Sequence, residues 1–171
     1  AGADIVVTGR VTDASVVVGP GIWRFGWGTE DLDALAGAVV AGHVIECGTH
    51  ATGGNFSGFL DLPLDARPLG FPIAELHADG AGIITKHPGT GGFVTIDTVT
   101  AQLMYEIQGP LYDNPDVRAD LRSIRLAGDG VDRVRIHGVK GSQRPDQLKV
   151  ATNTLGGHRN QMEFVLVGLD L

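Results

Sequence analysis

Features that would assign the chain to several protein classes are scarce in this sequence. Its single cysteine, Cys47, can form neither an internal disulfide nor a structural zinc cluster, which is compatible with a reducing cytoplasm. No apolar run reaches the roughly 18 residues of a membrane-spanning helix, and the amino end lacks a signal-peptide pattern. We therefore expect a cytoplasmic protein that makes no membrane contact.

Positive charge and nucleotide-binding motifs are also scarce. Thirteen Lys and Arg residues against twenty Asp and Glu residues give a formal net charge of −7. Because no basic patch is available to hold a phosphate backbone, nucleic acid is not an expected partner. The sequence has neither a Gly-x-Gly-x-x-Gly fingerprint nor the Gly-Lys-Ser/Thr ending of a P-loop, so no nucleotide cofactor is indicated.

Length and hydrophobicity indicate one globular unit. The 171 residues, 43% of them hydrophobic, suffice for one domain with its own core. The chain starts without Met, and the apolar run at 164–167 has no evident stop. We therefore interpret residues 1–171 as a single domain that is a fragment of a longer main domain.

The stretch from His43 to Phe59 combines titratable side chains with a glycine-rich loop. Apolar residues at helical spacing from Leu32 to Cys47 predict a helix that is buried on both sides, with Gly48 as its C-terminal glycine. Four residues that carry polar or titratable groups fall at positions i, i+3, i+4 and i+7, and therefore on one helical face: His43, Glu46, Cys47 and His50.

Glu46 is the expected general acid or base, with His43 or His50 as its partner, because each group polarises the other. A metal site built from these side chains matches no standard ligand spacing, so we predict none. Cys47 could act as a nucleophile, although a lone helical cysteine is usually a small core residue. Glu46 and His50 are therefore the catalytic candidates of this region.

The loop after this helix carries a second group of candidates. Adjacent N–H groups of Gly53 and Gly54 could converge on an anion or a carbonyl oxygen, and the Asn55 amide adds a donor at a fixed place. Ser57 follows as a further polar side chain and is a substrate-binding candidate. The same Gly-Gly-Asn sequence is equally typical of an ordinary turn.

Two more site candidates come early in the chain. The β-branched run Asp4–Thr8 predicts a buried strand that delivers a polar loop at its carboxyl end, where open α/β sheets bind ligands. Arg10 is then a substrate-binding candidate and Asp13 a catalytic one. The alternatives are a mutual ion pair or a helix cap supplied by Asp13.

Another glycine-rich loop carrying positive charge spans Lys86 to Gly92. Lys86, His87 and the backbone amides of Gly91 and Gly92 could hold a phosphate or a thioester carbonyl. The alternative interpretation is a plain hairpin turn. These four residues complete the substrate-binding candidates.

The remaining pattern predicts an α/β fold whose mixed sheet packs around the buried central helix. Strands are expected mainly in the carboxyl-terminal half, and the Trp23, Phe25 and Trp27 cluster suggests core packing, a lid or self-association into a homo-oligomer. The predicted later elements are strands at 74–78, 82–86, 93–97, 120–126, 133–139 and 148–154 and a helix at 98–107.

Four motifs in this order resemble segments of the acyclic terpene utilisation AtuA family: Ile5–Ser15, Ala41–Gly48, Thr52–Gly58 and Lys86–Gly92. Val99–Ile107 and Asp132–Gly141 also resemble family segments, so the similarity spans nearly the whole chain. Members of the family are longer, which implies a missing amino-terminal Rossmann-like portion and a further small carboxyl-terminal domain.

The resemblance implies bacterial acyl-CoA catabolism in the breakdown of citronellol- and geraniol-type or branched acids, beside acyl-CoA carboxylases and enoyl-CoA hydratases. It implies a small-molecule acyl-CoA partner and a lyase or hydratase step on a branched 3-hydroxyacyl-CoA thioester. The alternative is a non-catalytic component that binds acyl-CoA or a partner enzyme. The resemblance carries over no catalytic residue and leaves any cofactor unassigned.

Overall fold

The computed structural model describes residues 2–62, 67–147, 149–150 and 152–167. In these residues the helices are Val18–Phe25 (α1), Leu32–Glu46 (α2) and Ile96–Leu103 (α3). The strands are Pro72–Leu76 (β1), Gly82–Lys86 (β2), Leu111–Asp113 (β3), Arg118–Asp120 (β4), Arg125–Gly128 (β5), Val134–His137 (β6) and Lys140–Ser142 (β7). The predicted α/β class and the strand-rich carboxyl-terminal half are confirmed.

Helix α2 forms the centre of the core, as its sequence predicts. All residues from 34 to 44 are buried, because small side chains let neighbouring backbone approach the helix from more than one side. A Cβ on Gly37 would lie 2.0 Å from the Gly80 carbonyl oxygen, and one on Gly42 would lie 1.9 Å from that of Ala14. The helix ends at Glu46, and Gly48 follows with a φ of 57°.

Two sheets pack around this helix. The first has the strand order β1-β2-β6-β5 and the second the order β3-β4-β7. All pairings between these strands are antiparallel, whereas the sequence predicts a mixed sheet. A parallel pairing occurs as an isolated bridge between Leu69 and Gly91. In β6, Val134 and Ile136 are buried while Arg135 is exposed, which is the predicted alternation of a dry and a wet face.

The strand predicted at Asp4–Thr8 is wrong. Residues 2–11 form no strand, and Val7 is 91% exposed. This β-branched segment has no neighbouring strand to pair with in the described part of the chain. Asp13 instead begins a short 3-10 helix, Asp13–Val16, whose N-cap is Thr12 and which packs on α2.

Two later predictions also need correction. The strand predicted at 93–97 gives way to α3, because Thr95 and Thr98 form a capping box that starts the helix at Ile96. That helix ends at Leu103, earlier than predicted. The strand predicted at 120–126 is divided by the 3-10 helix Leu121–Ser123, because the Asp120 side chain accepts a hydrogen bond from the Arg122 N–H.

The strand predicted at 148–154 has no counterpart at residues 149–150 and 152–154, which are irregular and exposed, while Leu148 and Ala151 lie outside the described residues. Among the helices of the described residues, none combines the length and the hydrophobicity that a membrane crossing requires.

Candidate acid-base site at the end of the central helix

His43 joins the last turns of α2 to α3. Its Nε2 lies 2.9 Å from the Gln102 carbonyl oxygen, and the Gln102 side-chain amide donates back to the His43 carbonyl at 3.2 Å. Because a carbonyl only accepts, Nε2 carries the proton. Burial lowers the pKa of His43, so the imidazole is neutral near pH 7 and serves as a cross-link rather than as the partner base.

Glu46 and Cys47 form a local pair at the end of the helix. The thiol of Cys47 donates to Glu46 Oε1 at a distance of 2.9 Å. Burial, followed by this hydrogen bond and the Glu46 charge, raises the pKa of Cys47 to about 11. Cys47 is therefore a protonated donor that orients the Glu46 carboxylate, and the thiolate that a nucleophile requires is rare near neutral pH.

Tyr112 in β3 is the residue whose pKa two of the predicted candidates, Glu46 and Asp13, raise by their charge. It is half-buried, with its ring edge-on to His43 at a centroid distance of 5.5 Å. Burial is the largest cause of the raised pKa of Tyr112, and the charges of Glu46, Asp13 and Glu106 raise it further. Asp13 and Glu46, which are 33 positions apart, therefore act on the same phenol.

His50 lies at the other side of this group, against Tyr105. The ring centroids are 5.2 Å apart in an edge-on arrangement. The Nδ1 atom of His50 is buried and has no hydrogen-bond partner among the described residues. The charge of Glu106 and its hydrogen bond raise the pKa of Tyr105. Glu106 also has a φ of 61°, a backbone conformation that a non-glycine residue adopts mainly where its surroundings impose it.

The glycine-rich loop after α2 is a closed turn. The Gly53 N–H donates to the His50 carbonyl at 3.1 Å and the Gly54 N–H to the Thr49 carbonyl at 3.0 Å. Both amides are therefore already used within the turn, as the alternative interpretation of Gly-Gly-Asn describes. Asn55 is half-buried and Ser57 is exposed, so their side chains are the polar groups that this loop presents.

Thr52 joins the two glycine-rich loops and was not among the predicted residues. It is fully buried; its hydroxyl donates to the Gly70 carbonyl at 2.7 Å, and its carbonyl accepts from the Phe93 N–H at 2.9 Å. A Cβ on Gly92 would lie 2.3 Å from the Thr52 carbonyl oxygen. Gly92 is therefore required for the contact between these loops.

The groups at 86–91 have partners within the protein. The Lys86 ammonium is buried, donates to the Thr90 carbonyl at 2.9 Å and pairs with Asp132 at 3.2 Å. The Gly91 N–H donates to the Pro68 carbonyl at 2.9 Å. His87 is exposed. Lys86 could therefore hold a substrate anion only by exchanging an existing contact.

Arg10 and the aromatic cluster lie outside this group of contacts. Arg10 is exposed in the irregular segment, so the sheet-edge argument for it no longer applies. Phe25 and Trp27 stack at 5.2 Å, and the buried Trp27 donates to the Ala78 carbonyl at 2.9 Å. Trp23 is 85% exposed. The cluster is thus divided between core packing and one surface residue.

Sequence reasoning missed Tyr112, Tyr105, Glu106 and Gln102. Tyr105 and Glu106 had one local signal, because they precede Gly109-Pro110 at the end of a predicted helix, a place where polar groups gather. Tyr112 had none, because its role depends on the long-range contact between β3 and α2. Among the described residues, no group of three or more His, Cys, Asp or Glu side chains is arranged to hold a metal ion.

Comparison with known proteins gives one result. The family model described as acyclic terpene utilisation family protein AtuA matches residues 1–171. No curated protein and no solved structure matches the chain significantly. Because the match covers every residue, the chain belongs to the AtuA family of acyclic terpene utilisation.

Proposed function

We propose that the protein acts on a branched 3-hydroxyacyl-CoA thioester as a carbon–carbon lyase or a hydro-lyase in the breakdown of acyclic terpenes. The observation that carries the proposal is the shared environment of Tyr112, a half-buried phenol whose pKa is raised by burial and by Glu46, Asp13 and Glu106. A phenol that stays protonated can serve as an acid, and a carboxylate whose charge acts on that phenol can serve as the base. Family membership supports the pathway.

In the lyase reaction, Glu46 takes the proton of the substrate 3-hydroxyl as the bond between C2 and C3 breaks. C3 becomes a carbonyl carbon, and the electron pair moves through C2 to the thioester as an enolate. Tyr112 gives its proton to C2, and the proton on Glu46 then restores the phenol. The products are a carbonyl compound and a shortened CoA thioester, so protons and electrons balance.

The same two groups suit the hydro-lyase reaction. Glu46 would take the C2 proton, and Tyr112 would protonate the departing hydroxyl group as water. In both reactions the negative charge develops on the thioester oxygen, and we assign the donor that stabilises it to the Asn55 amide. His50, held against Tyr105 at 5.2 Å, is the second acid-base candidate, and Asp13 keeps the phenol protonated by its charge.

The substrate would approach from the loops that Thr52 joins. Gly53, Gly54 and Ser57 form one wall, and the second loop contributes Lys86, His87, Gly91 and Gly92. Arg10 belongs to this proposal as a solvent-exposed cation for the anionic part of the thioester. Cytoplasmic location, self-association and cooperation with acyl-CoA carboxylases complete the proposed role.

The test measures turnover by the full-length protein with a panel of branched 3-hydroxyacyl-CoA thioesters, using mass spectrometry of the products. We expect Glu46→Gln and Tyr112→Phe to lower kcat by roughly 10²- to 10⁴-fold, which is the usual contribution of a general acid or base. Glu30→Gln is the matched control, because Glu30 is an exposed carboxylate before α2. Wild-type turnover in both site variants would refute the assignment.

A non-catalytic component that binds acyl-CoA or a partner enzyme is the second candidate. The 85% exposed Trp23 favours it, because tryptophan is enriched at protein–protein interfaces relative to the rest of the surface. If the wild-type protein binds the same thioesters but turns none of them over, this second function replaces the first. Loss of a partner enzyme on Trp23→Ala, with thioester binding unchanged, would place the docking contact.

A further inference from the structure

A separate cavity lies near the amino-terminal end of α2. It has a volume of about 300 Å³ and is lined by Asp33 of α2, the turn between β1 and β2 at residues 79–81, and the end of β6 through Lys140 of β7. Thirteen helical positions separate Asp33 from Glu46, or roughly 20 Å along the axis. The cavity is therefore distinct from the acid-base site.

The two carboxylates of this cavity have partners within the protein. Asp33 accepts from the Lys140 ammonium at 2.6 Å and from the Gly141 N–H at 2.9 Å. Asp79 accepts from the Ala81 N–H at 3.0 Å, which closes the turn between β1 and β2. Neither carboxylate therefore needs a ligand to be satisfied.

Unlike the two carboxylates, the basic residues of the cavity wall include side chains without partners among the residues that the structure describes. Within the described residues, the side chains of Arg135 and His137 have no hydrogen bond or ion pair. The cross-strand neighbours of Arg135 are Ile83 and Ala127, neither of which is charged. His137 lies opposite Arg125, which offers no acceptor at its side chain. The wall formed by β6 therefore carries the positive charge of Arg135 with no acceptor.

Arg133 shows what such a side chain does on this sheet face when an acceptor is near. It lies two residues before Arg135 and therefore on the same face. Its guanidinium holds both oxygens of Glu75, at 2.9 and 2.6 Å, and also pairs with Asp129 at 3.3 Å. Arg135 has the same planar fork of donors and lines the cavity.

We propose that this cavity is a binding site for a small organic anion, whose carboxylate or phosphate oxygens are held by Arg135 together with His137 and Lys140. The volume of about 300 Å³ is at the lower end of small-molecule sites, so the ligand is small or enters with its anionic end alone. The carboxylates of Asp33 and Asp79 balance the charges of Arg135 and Lys140, which favours an anion of single charge over a highly charged one.

Backbone amide NMR on the full chain, with acetate, malonate and inorganic phosphate as separate titrants, tests the proposal. Ionic strength is held constant with chloride, so that general screening does not contribute. We expect saturable chemical-shift changes confined to residues 79–81 and 135–140. Comparison of acetate with phosphate shows whether the cavity prefers a carboxylate or a phosphate. Malonate carries a second negative charge and should therefore bind more weakly than acetate.

Arg135→Met should raise the dissociation constant of the preferred anion tenfold or more, because the bidentate fork is lost. Arg135→Lys keeps the charge without the bidentate fork, so its dissociation constant should lie between those of the wild type and Arg135→Met. Arg24→Met is the matched control, since Arg24 is exposed on α1 and removes the same charge away from the cavity. The proposal is overturned if no titrant gives saturable shifts, or if Arg135→Met binds as tightly as Arg24→Met.

Discussion

Substitution of Gly42 by alanine perturbs the contact on which the placement of Asp13 depends. A Cβ at Gly42 would lie 1.9 Å from the carbonyl oxygen of Ala14, and real Cβ contacts essentially never fall below 3.0 Å. The obstacle is backbone, so no side chain can rotate away to make room. The 3-10 helix Asp13–Val16 must therefore move by about 1 Å away from α2.

The expected size of the effect is the difference between two opposing contributions. Alanine is favoured over glycine in a helix interior by about 1 kcal/mol. Overpacking in a close-packed core costs about 1–3 kcal/mol, and a fixed backbone obstacle lies at the upper end of that range. The Gly42→Ala protein should thus be less stable by about 2 kcal/mol, or roughly 4–8 °C in Tm for a chain of this size.

Urea and thermal unfolding followed by circular dichroism measure this difference. Gly128→Ala in β5 is the control, because a Cβ there meets nothing within 4 Å and the φ of Gly128 is one that alanine adopts without strain. Gly128→Ala should therefore be neutral or stabilising. If Gly42→Ala is as stable as Gly128→Ala, the close approach of the 3-10 helix to α2 is wrong, and with it the position from which the charge of Asp13 raises the pKa of Tyr112.

Three further predictions concern titratable residues. Burial lowers the pKa of His43 in the folded state, so its contribution to stability is fully present above the unfolded-state pKa of about 6.5 and is lost as the pH falls below that value, by at most about 1.4 kcal/mol per pH unit. The urea midpoint should therefore fall less for His43→Gln than for the wild type between pH 7.5, 6.5 and 5.5. Parallel pH dependence of the two proteins would contradict this. With its pKa at about 11, Cys47 should react with iodoacetamide at pH 8 roughly tenfold or more slowly than a free cysteine thiol; an equal rate would remove the protonated-donor role. Lys86→Met should cost about 2 kcal/mol, because Asp132 loses its partner at 3.2 Å; a double-mutant cycle with Asp132→Asn should show coupling, and additivity would contradict the pair.

The central helix could be predicted from the sequence because its signals are local. Apolar residues at helical spacing, acidic residues before the first turn and Gly48 after the last one all agree, and β2 has the predicted bounds of 82–86. The strand at Asp4–Thr8 was equally clear in composition and is wrong. A strand depends on a partner that its own residues do not encode, whereas a helix satisfies its hydrogen bonds within itself.

The candidate site divides in the same way. Glu46 and His50 could be selected from helical spacing, but the phenol of Tyr112 that connects Glu46 with Asp13 comes from a strand more than 60 residues later. Gly53 and Gly54 were selected for donor groups that the turn already uses. Sequence names the groups that are able to do chemistry, and the fold decides which of them remain available for it.

The composition of α2 explains why the candidate site lies at its carboxyl end. From Ala34 to Gly42 every side chain is small or aliphatic, so strands and turns close on the helix and leave no room for a ligand. The first large polar side chain is His43, and residues 45–50 are only half-buried. Packing therefore opens within one helical turn, where the charge of Glu46 raises the pKa of Tyr112 in β3 and of Tyr105 after α3. His43→Ala would leave a cavity at the site of the imidazole and remove its hydrogen bond to the Gln102 carbonyl.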